Sequence, residues 1–181
     1  LISSSGLFQV RVETVRGNLT DHYDPRSKTL RLSAGVAQSP SVAALAISAH
    51  ELGHAMQDAE NYFPLRLRAA LVPAVNIGSY LGWILIFIGL MLRMTDLAWL
   101  GVIVFAGGAV FALATLPVEL NASARAKQML TNSGMIISEE ERQGVNRVLN
   151  AAALTYVAGL VTAIMQLLYF VSLVGGSSRR R

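Results

Sequence analysis

The sequence predicts a mainly α-helical membrane protein. Three helices cross the bilayer, a separate helix carries a charged motif, and a small antiparallel β-sheet lies at the membrane interface. Two observations predict this. Of 181 residues, 53% are hydrophobic and only 14% charged, where a soluble domain carries about 25% charged residues. The chain also holds three long uncharged runs: 24 residues between Arg68 and Arg93, 22 between Asp96 and Glu119, and 31 between Arg147 and Arg179. About 20 helical residues span the hydrocarbon core at 1.5 Å each.

Composition also excludes several classes. With no cysteine, disulfide scaffolds, Cys-ligated zinc and thiol catalysis are ruled out. The net charge of +4 could suggest a nucleic-acid partner, but the basic residues flank the apolar runs, so none is expected. The chain begins at Leu1 rather than Met, which reads as a piece of a longer protein.

In chain order, Val10–Val15 alternates and is β-branched, which predicts a strand. Arg16-Gly17-Asn18 is a turn signal, Leu19–Tyr23 a second strand, Asp24-Pro25-Arg26-Ser27 a turn, and Thr29–Ser33 a third strand. Residues 1–38 thus form the sheet. Ser39 then offers an N-cap with Pro40 at the first helical position, opening the helix of residues 39–62.

The spans are expected at 69–92, 97–118 and 148–176. Gly101, Gly107 and Gly108 allow close packing in the second, and the small polar start of the third, Asn150–Thr155, suits burial against protein. Between them, Glu119–Leu130 reads as a further helix, and Ser138 with Glu141 fits a capping box. Residues 1–68 and 119–147 then share one side of the membrane, opposite the 93–96 turn and the Arg179-Arg180-Arg181 tail. The large side carries 11 Lys and Arg against 4 on the other, which favours a cytoplasmic large side, although the count is tied close to the membrane.

The chemistry is carried by His50-Glu51-Leu52-Gly53-His54, an H-E-x-x-H motif inside the predicted helix. Residues four apart on a helix project from one face, so both imidazoles can hold a single Zn²⁺, while Glu51 beside that face can act as general base on water. Two of the three histidines are spent here. A catalytic zinc needs a third protein ligand, and no further downstream His exists. Glu119 is the leading candidate, as the only acid between Asp96 and Glu139 and the first residue past the second span. Asp58 and Glu60 are its rivals.

Asn18–Arg26, Ser41–Ala44, His50–Gln57, Leu116–Ser123 and Leu149–Tyr156 together resemble the neutral zinc metallopeptidases of bacterial membranes, the YugP-like family. The resemblance covers essentially the whole chain and implies a single membrane metallopeptidase domain, 1–181, with a further N-terminal transmembrane helix outside it. The plan is similar to that of the HtpX-like membrane proteases, in which the motif helix is followed by a helix bearing a Glu ligand. There an Asp four residues after the Glu supports the first histidine; this sequence has Ser123 at that place. The resemblance also gives weight to Asp21-His22-Tyr23-Asp24, in which His22 would contact substrate or stabilise an oxyanion. The alternative is a turn with a solvated histidine. Tyr156 is a second oxyanion candidate, set against an interfacial role.

The expected function is zinc-dependent endoproteolysis by metal-activated water, with His50, His54 and Glu119 as ligands and Glu51 as base. The polypeptide substrate would be a membrane protein or its juxtamembrane segment, lying extended along a strand edge. The protein would be multi-pass in the bacterial inner membrane, with the site close to the bilayer surface on the cytoplasmic side. The rival is a non-catalytic zinc-containing scaffold, which would have no need of Glu51. An intramembrane protease fits less well, because Gln57, Asp58, Glu60 and Asn61 follow the motif.

Overall fold

The computed structural model describes residues 1–3 and 5–178. The arginine tail lies outside the described residues. Three strands and five helices follow one another: β1 Arg11–Val15, β2 His22–Asp24, β3 Thr29–Ser33, α1 Ala34–Ala37, α2 Val42–Ala59, α3 Phe63–Met91, α4 Thr95–Asn132 and α5 Glu139–Ser178. The chain divides into two compact units, one of residues 1–65 and 118–155, the other of 66–117 and the stretch from Tyr156.

In the first unit the sheet order is β1-β3-β2. β2 pairs with β3 antiparallel, Tyr23 facing Leu30, whereas β1 pairs with β3 parallel, Arg11 facing Thr29. The sheet is therefore mixed, not antiparallel as the run of short strands suggested. The cause is connectivity: β1 does not form a hairpin with β2, and the 13 residues from Arg16 to Lys28 serve as the crossover that a parallel pair requires. The central β3 is the buried strand. Leu30 and Leu32 pack with Leu7, Val10, Leu52, Ala55 and Met129. On its other side α2 sets Ala46 and Ala49 against Ala126, Leu130, Val145 and Leu149.

The cap of α2 is Ser41, whose hydroxyl accepts from the Ala44 N–H at 3.1 Å. Ser39 was the expected cap, but the hydroxyl that reaches an orphan N–H belongs to the residue after Pro40. The helix ends where Asn61 takes φ +56°. There Tyr62 N–H donates to Gln57 O and Asn61 N–H to Asp58 O, a Schellman closure. The capping box at α5 forms as expected, with Glu141 N–H on the Ser138 hydroxyl and Ser138 N–H on the Glu141 carboxylate, both at 3.1 Å.

α4 runs unbroken through Pro117, so Glu119–Leu130 continues the second apolar run as one helix. The start of the third apolar run is not buried: Asn150, Ala151, Leu154 and Thr155 are exposed. Their polar groups find partners at the surface, Thr155 donating to Ala152 O within α5 and Asn150 Oδ1 accepting from Lys127 of α4.

Among the described residues three helices, α3, α4 and α5, are long and apolar enough to cross a membrane, and their apolar stretches make up the second unit. Trp83, Phe105 and Phe170 meet edge to face, with centroids 4.7–6.4 Å apart. Close packing rests on Gly101, where a Cβ would stand 2.6 Å from Ile86 N; Gly107 faces open space.

Candidate metal centre

The first unit contains the whole H-E-x-x-H motif. One α-helical turn separates His50 from His54, and both imidazoles face Glu119 on α4. His50 Nε2 lies 3.2 Å from Glu119 Oε2, and His54 Nε2 lies 3.5 Å from the same oxygen. Among the described residues these three form the one group of His, Asp or Glu side chains able to share an ion, their ligand atoms all within 4.8 Å of one another. Glu119 is only 1% exposed.

Gly53 makes this convergence possible. A Cβ there would sit 2.5 Å from Ala122 O, so any side chain would hold α4 away from α2, and Glu119 with it. The fourth motif position is small because it faces the helix that brings the third ligand.

A polar network behind the imidazoles fixes which nitrogen of neutral His54 carries the proton. It starts from Arg125, a group that can only donate. Arg125 pairs with both oxygens of Glu60 at 2.7 and 2.6 Å and gives its Nε–H to Asn121 Oδ1 at 2.7 Å. Gln57 also donates to that oxygen, at 3.0 Å, and to Val118 O at 2.8 Å. Both amide hydrogens of Gln57 are thereby used, so its Oε1 must accept from His54 Nδ1, 3.0 Å away. The neutral His54 tautomer therefore has a bare Nε2. On the other side, Ser123 Oγ meets His50 Nδ1 at 3.2 Å.

Glu51 is half-buried, and its Oε2 accepts the Tyr23 N–H at 3.0 Å. Burial pushes its carboxyl up, against the opposing pull of His54, His50 and the Tyr23 amide. Burial also works against a charged His54. The hydrogen bond and charge of Glu119, followed by the charge of Glu51, outweigh it, and the imidazole is raised.

Both rivals for third ligand are engaged elsewhere, Asp58 by the Tyr23 hydroxyl at 2.9 Å and Glu60 by Arg125. His22 is exposed on β2 and is not among the three converging groups. Its Nδ1 lies 2.7 Å from Thr20 O, so Nδ1–H donates there. The flanking acids are structural: Asp21 accepts from Ser33 N–H and hydroxyl, and Asp24 from Arg26 N–H, Ser27 and Arg31. Tyr156 belongs to the second unit. Sequence reasoning missed the roles of Gln57, Asn121 and Tyr23.

A family model described as "Putative neutral zinc metallopeptidase" matches residues 1–175. The chain belongs to this family. It is also 46% identical over 171 residues, 94% of the chain and 76% of the other protein, to "Putative membrane protease YugP" of Bacillus subtilis (strain 168). No solved structure matches.

The donor set fits the zinc that the family name implies. A tetrahedral ion with ligands at about 2.0–2.2 Å spaces any two of them about 3.3–3.6 Å apart. The two histidine–carboxylate separations, 3.2 and 3.5 Å, match that spacing. The protonation pattern points the same way. In the neutral tautomer a bare Nε2 faces a buried carboxylate, acceptor against acceptor; the raised His54 answers this with a proton, and a metal cation would answer it at the same place.

Proposed function

We propose that this protein is a zinc-dependent, membrane-bound endopeptidase that hydrolyses peptide bonds of membrane or juxtamembrane segments. The observation that carries the reading is the meeting of His50, His54 and Glu119 with Glu51 beside them on one helix. The family match over nearly the whole chain supports treating residues 1–181 as one metallopeptidase domain.

His50, His54 and Glu119 would hold the zinc. When bound, zinc supplies Lewis acidity that acidifies a water and polarises the scissile carbonyl. Glu51 takes the proton of the attacking water and delivers it to the amide nitrogen as the C–N bond breaks. Gln57 and Ser123 hold the imidazoles so that Nε2 faces inward. The extended peptide would lie along a strand edge, β2 being the strand whose main chain touches the motif. Neutral His22 has its proton on Nδ1, so its Nε2 accepts; this favours contact with a substrate N–H over stabilisation of an oxyanion.

A membrane substrate is supported by the chain itself, because Glu119 follows directly on the 22-residue uncharged run. A third ligand at the end of that run favours a site near the bilayer surface. The excess of Lys and Arg on the large side supports a cytoplasmic orientation in a bacterial inner membrane.

The test is metal content and cleavage together. Purified protein in detergent should carry about one zinc per chain by mass spectrometry, and His54→Ala should carry almost none. The wild type should cleave peptides drawn from membrane proteins, with loss on chelation and recovery on zinc addition. Zinc binding with no cleavage of any such peptide would favour the scaffold.

A further inference from the structure

Tyr23 touches the motif helix at two points. Its main-chain N–H donates to Glu51 Oε2 at 3.0 Å, and its hydroxyl donates to Asp58 Oδ2 at 2.9 Å. Glu51 and Asp58 are seven residues apart on α2, two turns and about 10.5 Å along the axis, on one face. A single residue of β2 therefore spans the stretch of helix that contains His54.

The strand that presents this residue is pinned on both sides. Asp21 is tied to Ser33 and Asp24 to Arg31 and Ser27, so both flanks of His22-Tyr23 are held to β3 and its C-terminal end. Because Tyr23 N–H points at Glu51, Tyr23 and Leu30 form a non-hydrogen-bonded pair, and the Tyr23 carbonyl also faces outward. That carbonyl remains available to a peptide N–H while the amide is engaged by the base. Burial, the bond to Asp58 and the charges of Asp58 and Asp24 raise the Tyr23 phenol above its usual range, so the hydroxyl stays a donor.

We infer that Tyr23 is the positioning residue of the general base: its amide fixes one oxygen of Glu51, and its hydroxyl, anchored on Asp58, fixes the amide. Among the described residues Glu51 Oε1 takes no hydrogen bond, which leaves it for the proton of the attacking water. A glutamate side chain has several rotatable bonds, and a base works only when held within hydrogen-bond reach of the proton it removes. The inference rests on the reading of Glu51 as base.

Two measurements test it. The chain has five tyrosines, so selective ¹⁵N-tyrosine labelling in micelles yields five amide signals, and Tyr23→Phe identifies that of Tyr23. Glu51→Gln should move this signal upfield, because the amide loses a charged acceptor. In the peptidase assay Tyr23→Phe and Asp58→Ala should each lower kcat about 10- to 100-fold, with KM, zinc content and thermal transition unchanged. Asp58→Asn, which keeps an acceptor oxygen, should recover most of what Asp58→Ala loses.

An unmoved amide signal, an unchanged kcat, or a fall in kcat accompanied by loss of zinc or of thermal stability would each overturn the inference. An inactive wild type would sink the peptidase reading alone; the amide signal would still decide whether Tyr23 holds Glu51.

Discussion

Glu51→Gln should bind zinc as tightly as the wild type and lose at least about 10²-fold in peptide hydrolysis, the usual scale for removal of a general base. Glutamine keeps the length of the side chain and an oxygen for the Tyr23 amide, so the fold and the ligand positions are preserved. What it lacks is the ability to accept a proton from water. The two results belong together, because a mutant that loses zinc as well says nothing about the base. Metal content and kcat should therefore be measured on the same preparation, and activity within a few-fold of wild type would remove Glu51 from the chemistry.

Glu119→Ala should lose most of its zinc and, with it, all measurable activity. Two imidazoles on one turn leave the ion with half of a tetrahedral shell. The other acids near the motif cannot move in without breaking their own contacts, since Asp58 holds the Tyr23 hydroxyl and Glu60 is paired bidentately with Arg125. Glu119 is also almost fully buried, so alanine leaves an apolar gap at the centre of the site, not a route for a distant carboxylate. Titration of the detergent-solubilised protein with zinc against a competing chelator would measure the change. Undiminished affinity would reopen the ligand set to Asp58, Glu60 and His22.

The parts of this protein that were legible in its sequence are those set by local rules. Uncharged runs mark the apolar helices because a single charge inside them is costly in hydrocarbon. Ser138 and Glu141 announce a helix start because both partners of that cap lie within one turn. H-E-x-x-H is readable because its geometry depends only on the helical period, and Glu119 because so few acids compete with it.

What was not legible depends on partners distant in sequence. The parallel pairing of β1 with β3 is decided by which edge of β3 the chain returns to, and a strand's alternation carries no sign of that. Ser39 before Pro40 suits a cap by its local sequence, and only the position of Ala44 N–H shows that Ser41 takes the role. Gln57 looks like an ordinary helix residue until Val118 O and Asn121 are placed opposite it. Tyr23 reads as a strand aromatic until its amide is seen to face Glu51. The small-polar stretch Asn150–Thr155 suggested burial, but Thr155 bonds within its own helix and Asn150 accepts from Lys127 of α4, so neither needs it.

The wiring from Arg125 through Asn121 and Gln57 to His54 has a consequence for how the protein is made. Each link is a contact of the protein with itself, and together they hold the His54 imidazole with Nε2 turned toward the carboxylate before any ion binds. The ion is then a late addition to a finished scaffold, unlike the small zinc modules that acquire their shape only on capturing metal. The chelated protein should keep its helical circular dichroism and a cooperative melt, differing from the loaded form by the binding free energy alone; collapse of the helical signal on chelation would contradict this. If the proposed function holds, a cell could accumulate the protein without activity and switch it on through the supply of zinc.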